Sequence, residues 1–333
     1  MFRLSRSPLF TLFKEQASSG LQPFYGSIMQ SNSLVNRRQA LLTAGSAATV
    51  AVLAAKANAA FPIATARPKI CIFAKPIQEM SYEQVADLLA KYPVDGLEAT
   101  VRPGGQVDPA TVNEQLPRLH EALAKRSRDF MILATNINTA KASETESVLQ
   151  CASKLGIRHF RMGYYKYKLE RPILPQLEAF ARDARELAAY CGSLGMTALY
   201  QNHAGNNYLG APVFDLVEVM KGIPVSQMAI ALDIRHTTIE ATASWPLLYA
   251  VSKPHLGAVF VKDAIVERGK IIDVDLGQGK AAGELFQMMR KDGLPGVLSL
   301  HTEQIDHADP KLLNQRLAAI GRDVETLQSW LEK

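Results

Sequence analysis

Short apolar runs alternate with amphipathic segments from residue 69 to the C-terminal end of the chain. The runs are rich in Val, Ile, Leu and Phe, as in strands of a buried parallel sheet, while the longer segments have helical periodicity. The pattern predicts eight strands, at Lys69–Ala74, Gly96–Val101, Phe130–Ala134, His159–Met162, Thr197–Asn202, Met228–Asp233, Gly257–Lys262 and Gly296–Leu300. It also predicts eight helices, at Tyr82–Lys91, Asn113–Lys125, Ser143–Leu155, Leu174–Leu194, Val213–Met220, Pro246–Val251, Gly283–Lys291 and Lys311–Leu331.

This alternation predicts an α/β protein. Eight strand–helix units in about 270 residues match a (β/α)₈ TIM barrel, which typically has about 250 residues. A doubly wound open sheet is the alternative, but it usually has a glycine-rich turn after its first strand. Here that turn is Lys75-Pro76-Ile77, which contains no glycine. We therefore expect a TIM barrel over residues 60–333.

A different pattern precedes the barrel. Residues 40–55, ALLTAGSAATVAVLAA, carry no charge, and the stretch is shorter than the ~20 residues that a spanning helix needs. Arg37 and Arg38 precede it, and Ala57-Asn58-Ala59 follows it as a cleavage site of small residues. These features predict a twin-arginine signal peptide over residues 1–59, with Met29 as an alternative start, and export to the periplasm. A membrane anchor or a buried N-terminal helix is the alternative interpretation.

The net charge of +5 lies in this leader, because residues 1–59 contain six basic residues and one acid. Residues 60–333 are therefore neutral overall and lack the basic face that binds a phosphate backbone. We expect no nucleic-acid partner, and no membrane contact after signal cleavage. The three cysteines exclude a disulfide scaffold and have no metal-ligand spacing.

Polar side chains gather at the C-terminal ends of the predicted strands, where barrel enzymes place their chemistry. Period-two alternation puts the inward members of each strand on one face of the barrel mouth. The candidate residues are Glu98, Arg102, Arg161, Gln201, Asn202, His203, Asp233, His236, Lys262, His301 and Glu303. A buried Glu98 requires a partner, which we expect to be Arg102 or Arg161. Lys262 either acts in the site or pairs with Asp263 or Glu98.

Several strings resemble the sugar phosphate isomerase/epimerase family, whose members have a xylose isomerase-like barrel. They are Asp233-x-x-His236, Lys262-Asp263, the loop LGQG at 276–279 and the carboxylate on the last strand. Four longer strings resemble an exported, twin-arginine branch of that family: VRPGGQV at 101–107, YQNHAG at 200–205, DIRHTTIE at 233–240 and SLHTE at 299–303. The resemblance runs from about Ile70 to the C-terminal end.

The resemblance implies one divalent metal ion, bound by a glutamate of the fifth strand, an aspartate of the sixth, a histidine of the seventh and a glutamate of the eighth. This chain keeps Asp233 but has Gln201, Phe260 and His301 at the other three positions. Either no metal is bound, or the cage is rebuilt from Asp233, His203, His301 and Glu303. Such ligands suit Mn²⁺, Zn²⁺ or Fe²⁺.

The resemblance also implies isomerisation or epimerisation of a sugar or keto-sugar derivative by proton abstraction next to a carbonyl. That step needs a base, and a cation near the enolate oxygen. The predicted catalytic residues are Glu303 or Glu98 as the base, His301 as proton donor or relay, Lys262 as an alternative to the metal, and His236. The predicted substrate-binding residues are Arg102, Arg161, Gln201, Asn202 and His203.

Three other functions remain open on the same barrel. A lyase or hydrolase of keto-glycosides would use the same enolate chemistry. The related apurinic endonuclease branch is disfavoured by the neutral body, and a non-catalytic sugar-binding protein would explain the lost metal ligands. Export favours an unphosphorylated sugar or keto-glycoside as the small-molecule partner.

Overall fold

Eight parallel strands close into a barrel in the computed structural model, which describes residues 67–332. Neighbours in the sequence pair around the ring, and the last strand pairs with the first to close it. The barrel strands are β1 (Lys69–Phe73), β2 (Gly96–Thr100), β3 (Asp129–Ala134), β4 (His159–Arg161), β5 (Thr197–Gln201), β6 (Met228–Asp233), β7 (Leu256–Val261) and β10 (Val297–Leu300). The predicted (β/α)₈ barrel is therefore confirmed. The predicted leader at 1–59 lies outside the described residues and stays a prediction.

Helices surround the barrel because each has one apolar face that packs on the strands. They are α1 (Tyr82–Ala90), α2 (Val112–Ala124), α3 (Ser143–Lys154), α4 (Ile173–Ser193), α5 (Phe214–Val219), α6 (Ile234–Ala241), α7 (Trp245–Ser252), α8 (Lys280–Asp292) and α9 (Leu313–Glu332). All eight predicted helices are present. Among residues 67–332, no helix combines the length and apolarity that a membrane crossing requires.

One helix and one β-hairpin were not predicted. Helix α6 begins directly after β6, because the Asp233 side chain accepts a hydrogen bond from the His236 amide and caps the helix. His236 therefore lies in the first turn of a helix that the sequence pattern did not predict. Strand β7 ends at Val261 and is followed by an antiparallel hairpin of β8 (Asp263–Glu267) and β9 (Lys270–Val274).

The interior of the barrel is apolar below its C-terminal end. It is filled by Cys71, Ile132, Leu199, Ala229, Ala231, Ala258, Phe260 and Val297. Two β-bulges interrupt the ladder, one before Glu98 between β2 and β3, and one before Ala231 between β6 and β7. A bulge changes the direction of the side chains that follow it. The polar ends of β2 and β6 therefore depend on these two irregularities.

Candidate active site

A cavity of about 410 Å³ opens at the C-terminal end of the barrel, a size suited to a small molecule. Six of the predicted residues line it: Arg102, Arg161, Gln201, His203, Lys262 and Glu303. They come from the ends of β2, β4, β5, β7 and β10, as the period-two pattern predicts for most of them. The structure therefore brings together side chains from distant parts of the chain.

The other predicted residues lie behind the cavity wall. Glu98, Asp233 and His301 are at most 2% exposed and contact residues that line the cavity. Asn202 is fully buried, where its amide donates to Thr237 Oγ1 and accepts from the Asp233 amide. Asn202 thus connects β5 with β6 and α6 and does not reach the cavity.

The cavity is also lined by residues that were not assigned to the site from the sequence, among them Lys75, Tyr164 and Lys166. Lys75 comes just after β1, so the rule that chemistry follows strand ends contained enough information to find it. Tyr164 and Lys166 belong to the loop after β4 and have no pattern that separates them from packing residues.

Lys262 forms the centre of the ion-pair network. Its Nζ lies 3.2 Å from Asp233 Oδ2 and 3.0 Å from Glu303 Oε2, and its side chain is 11% exposed. Burial opposes the charged form, but the two carboxylates outweigh it and raise the pKa of Lys262 above its ordinary value. Lys262 is therefore a fixed ammonium in the cavity wall.

Lys262 does not pair with Asp263 or Glu98, the partners considered from the sequence. The Asp263 carboxylate accepts hydrogen bonds from the amides of Ala264, Gly277 and Gly279 instead. These contacts hold the loop LGQG at 276–279 against the base of the β8–β9 hairpin.

Glu98 and Glu303 are joined through His301. Glu98 Oε2 accepts a 2.5 Å hydrogen bond from Ser299 Oγ and lies 2.9 Å from His301 Nε2, while His301 Nδ1 lies 3.5 Å from Glu303 Oε2. Glu98 also pairs with Arg161 at 3.4 Å, so the expected ion pair is with Arg161 rather than Arg102. Burial raises the pKa of Glu98, but the charges of His301 and Arg161 lower it overall.

The carboxylate of Glu303 faces the cavity between two lysines. Lys75 Nζ lies 2.8 Å from Oε1, opposite the contact of Oε2 with Lys262. Burial alone would raise its pKa, but Lys262 and His301 hold the pKa of Glu303 well below the ordinary value. Glu303 is therefore ionised at neutral pH.

Gln201 connects three charged or polar groups. Its Oε1 accepts from Arg161 Nη1 at 2.9 Å and from the Tyr164 hydroxyl at 2.5 Å, and its Nε2 donates to Asp233 Oδ2 at 2.6 Å. Arginine only donates and a carboxylate only accepts, so these partners fix the orientation of the amide.

Two imidazoles in close contact, tilted by 37°, lie beside this network. The rings of His203 and His236 are 3.9 Å apart, and His203 Nδ1 lies 2.8 Å from the Ala204 carbonyl. A carbonyl only accepts, so Nδ1 carries the proton and Nε2 of His203 holds a lone pair. Burial lowers the pKa of His203 and lowers that of His236 further. Both rings are therefore neutral at pH 7.

The donor set does not fit a divalent metal ion. Asp233 Oδ2, the one retained ligand position, already receives the Gln201 amide and the Lys262 ammonium, both of which present hydrogen rather than a lone pair. Phe260 offers no ligand atom. His203 and His301 are held by other partners, so the four predicted ligands Asp233, His203, His301 and Glu303 are not brought together as a cage. Across residues 67–332, no group of three or more His, Cys, Asp or Glu side chains is placed to bind a metal.

Residues 86–330 match the family of the xylose isomerase-like TIM barrel. The chain belongs to this family. The match covers all of the barrel except β1 and the loop and helix start that follow it. No curated protein sequence matches the chain significantly.

Solved structures share the barrel at low sequence identity. The 3-keto-D-glucoside 4-epimerase from E. coli is 13% identical, with 78% of this chain and 100% of that chain covered and a TM-score of 0.59. A D-allulose 3-epimerase from Methylomonas sp. in complex with D-allulose is 16% identical over 81% and 98%, with a TM-score of 0.56. The probable 3-DHS dehydratase from Bacillus anthracis is 12% identical over 79% and 99%, with a TM-score of 0.58. At these identities the likeness concerns the fold.

Proposed function

We propose that this protein is a sugar epimerase or isomerase that removes and returns a proton next to a carbonyl, with Lys262 supplying the positive charge for the enolate oxygen. The observation that carries the proposal is the buried Lys262 ammonium, held by Asp233 and Glu303 in the wall of the cavity. Membership of the family supports it, and two of the similar structures are sugar epimerases by name.

The ammonium takes the role that a metal ion has in the implied family mechanism. Removal of a proton next to a carbonyl places negative charge on the carbonyl oxygen, and a preorganised cation in a closed site stabilises that charge. Asp233 lies behind Lys262 and away from the cavity, so it fixes the position of the ammonium. The charge of Lys262 is present before the substrate arrives.

Two groups are suited to move the proton. Glu303 is an ionised carboxylate that faces the cavity from the end of β10, and His203 is a neutral imidazole that faces it from the end of β5. One group takes the proton from the carbon and passes it to water. Both groups are unprotonated before the reaction, so the proton delivered to the opposite face of the planar enolate comes from water through the other group. The C–H bond broken and the C–H bond formed balance, so no oxidant or reductant is required.

His301 and Glu98 position Glu303 from behind. The imidazole lies between the two carboxylates, and its ring packs against Phe73 and Phe260 at centroid distances of 4.4 and 4.6 Å. This packing fixes the side of the ring that faces Glu303. Glu98, which has no access to the cavity, is therefore a positioning residue rather than the base.

The test is the variant Lys262→Gln, assayed on a panel of ketoses and oxidised sugars. We expect a loss of turnover of about 10²–10³-fold, the usual effect of removing one oxyanion-stabilising group. Lys253→Gln is the matched control, because Lys253 pairs with Asp292 outside the cavity, and it should retain full turnover. Lys262→Arg keeps the charge and should retain part of the activity.

Removal of metal ions gives the second arm of the test. Dialysis of the wild-type protein against a strong chelator should leave turnover unchanged if Lys262 provides the cation. Loss of turnover on dialysis, with recovery on adding Mn²⁺ or Zn²⁺, would contradict this assignment. Products that have lost a substituent would identify a lyase, while an absence of turnover on every sugar would favour a binding protein.

A further inference from the structure

Positive charge exceeds negative charge around the cavity. Five cations line it, Lys75, Arg102, Arg161, Lys166 and Lys262, and Glu303 is the one carboxylate among the residues that line it. Adding the buried carboxylates Glu98 and Asp233 behind the wall leaves five cations against three anions. A neutral sugar does not compensate this excess.

Arg102 is the cation without a protein partner. Lys75 and Lys262 pair with carboxylates, and Lys166 lies over the ring of Tyr208. Within residues 67–332 the guanidinium of Arg102 makes no hydrogen bond or ion pair. It is half-buried, and burial together with the nearby charge of Arg161 lowers its pKa from the ordinary value.

Arg161 lines the same cavity and also has an unused donor nitrogen. Its Nε and Nη1 are used by Glu98 and Gln201, while its Nη2 makes no hydrogen bond to a described residue. Two guanidinium groups that line one cavity repel each other, and an oxyanion bound by both relieves that repulsion. The fork of donors on arginine matches the two oxygens of a carboxylate.

At the position where barrels of this fold often bind phosphate, the backbone amides are already bound by a carboxylate of the protein. In many barrels the loops after strands seven and eight bind phosphate through backbone amides. Here the amides of Gly277 and Gly279 donate to the carboxylate of Asp263, at 3.0 and 2.8 Å. The unpartnered donors lie instead after β2 and β4, where two side-chain forks face a small cavity.

Building on the function proposed above, we propose that the substrate is a sugar acid whose carboxylate binds Arg102 and Arg161. The carboxylate end then lies on the β2–β4 side of the cavity. The carbonyl lies towards Lys262, between the two groups that move the proton.

Binding of simple probes tests this without requiring turnover. D-Glucuronate, D-glucose and D-glucose 6-phosphate are titrated into the wild-type protein by calorimetry at fixed salt. We expect glucuronate to bind at least about tenfold more tightly than glucose, since one charge-assisted pair contributes that much. Arg102→Gln should abolish the difference, and Arg102→Lys should restore part of it.

The matched control is Arg182→Gln, an exposed arginine of α4 outside the cavity, which should keep the preference for glucuronate. Equal binding of glucose and glucuronate, or no binding of glucuronate at millimolar concentration, would overturn the proposal. Tighter binding of the phosphate than of glucuronate through Arg102 would assign the site to sugar phosphates instead. A carboxylate preference without any turnover would remove the proposed reaction and leave this binding site intact.

Discussion

His203 and Glu303 are kept ready to accept a proton by different means. His203 is neutral because burial lowers its pKa and because its Nδ1 proton is directed to the Ala204 carbonyl. Glu303 is ionised because two lysines and His301 surround it. The two groups face the cavity from separate strands, which suits proton transfer on opposite faces of one carbon.

This arrangement predicts that variants of the two groups lose exchange of the substrate hydrogen with D₂O for different epimers. His203→Gln should abolish epimerisation while the remaining base still exchanges the hydrogen of one epimer with solvent. Glu303→Gln should leave exchange for the other epimer. Proton NMR of each purified epimer with each variant measures both rates. If one variant loses exchange for both epimers and the other loses none, a single base acts and the two-base mechanism is wrong.

The sequence identifies six of the side chains that line the cavity but not their partners. Arg102, Gln201, His203 and Glu303 follow from strand ends and alternation, since a barrel strand directs every second residue inward. The pairing of Lys262 was not predicted, because Lys262 lies one residue beyond the end of β7. The contact of His203 with His236 was not predicted either, because it requires a helix that the polar string DIRHTTIE did not suggest.

Among the elements, β2 shows how a close backbone contact determines the position of a side chain behind the active site. A side chain at Gly96 would overlap the carbonyl oxygen of Asp129 on β3, so the two strands approach closely only because residue 96 is glycine. The bulge between these strands follows immediately, and Glu98 comes directly after it. The position of Glu98 beside His301 therefore depends on Gly96.

Gly96→Ala should destabilise the protein by about 1–3 kcal/mol, the range for an overpacked interior site, and should also lower turnover because Glu98 is displaced. Gly296→Ala is the matched control. Gly296 precedes β10, and a methyl group there meets no atom within 4 Å. Urea unfolding with a turnover assay measures both effects. Equal stability of the two variants would show that β2 and β3 adjust without strain.

The barrel strands and the helices were easier to predict from the sequence than the β-hairpin and the β-bulges. Apolar runs and helical periodicity identified every barrel strand, because burial on both faces leaves a strong signal. The β8–β9 hairpin was missed, although its turn at Arg268 and Gly269 has positive φ values of 50° and 76°. The bulges have no sequence signature here, because a shift of register depends on contacts between two distant strands.

For the whole molecule, the buried ionisable groups determine how stability changes with pH. His236 is 3% exposed and its folded-state pKa is far below 6.5, so the unfolded chain binds a proton first as the pH falls. Stability should therefore decrease as the pH falls below about 6.5. Three carboxylates, Glu98, Asp233 and Glu303, have lowered pKa values in the folded protein. Their contribution to stability is therefore present above about pH 4 and is lost below it.

The histidine part of this profile can be isolated with one variant. Between pH 6 and pH 5, His236 alone should reduce the free energy of unfolding by up to about 1.4 kcal/mol per pH unit. His236→Gln removes that proton uptake, so its stability should fall less steeply than that of the wild type over the same range. His120→Gln, on α2 outside the cavity, should keep the steeper wild-type slope. Urea unfolding at half-unit steps of pH gives the three slopes. Identical slopes for His236→Gln and the wild type would show that His236 takes up its proton in the folded protein as readily as in the unfolded chain. The ion pair of Lys262 with Asp233 would then lie beside a second positive charge, and the electrostatic basis of the proposed site would need revision.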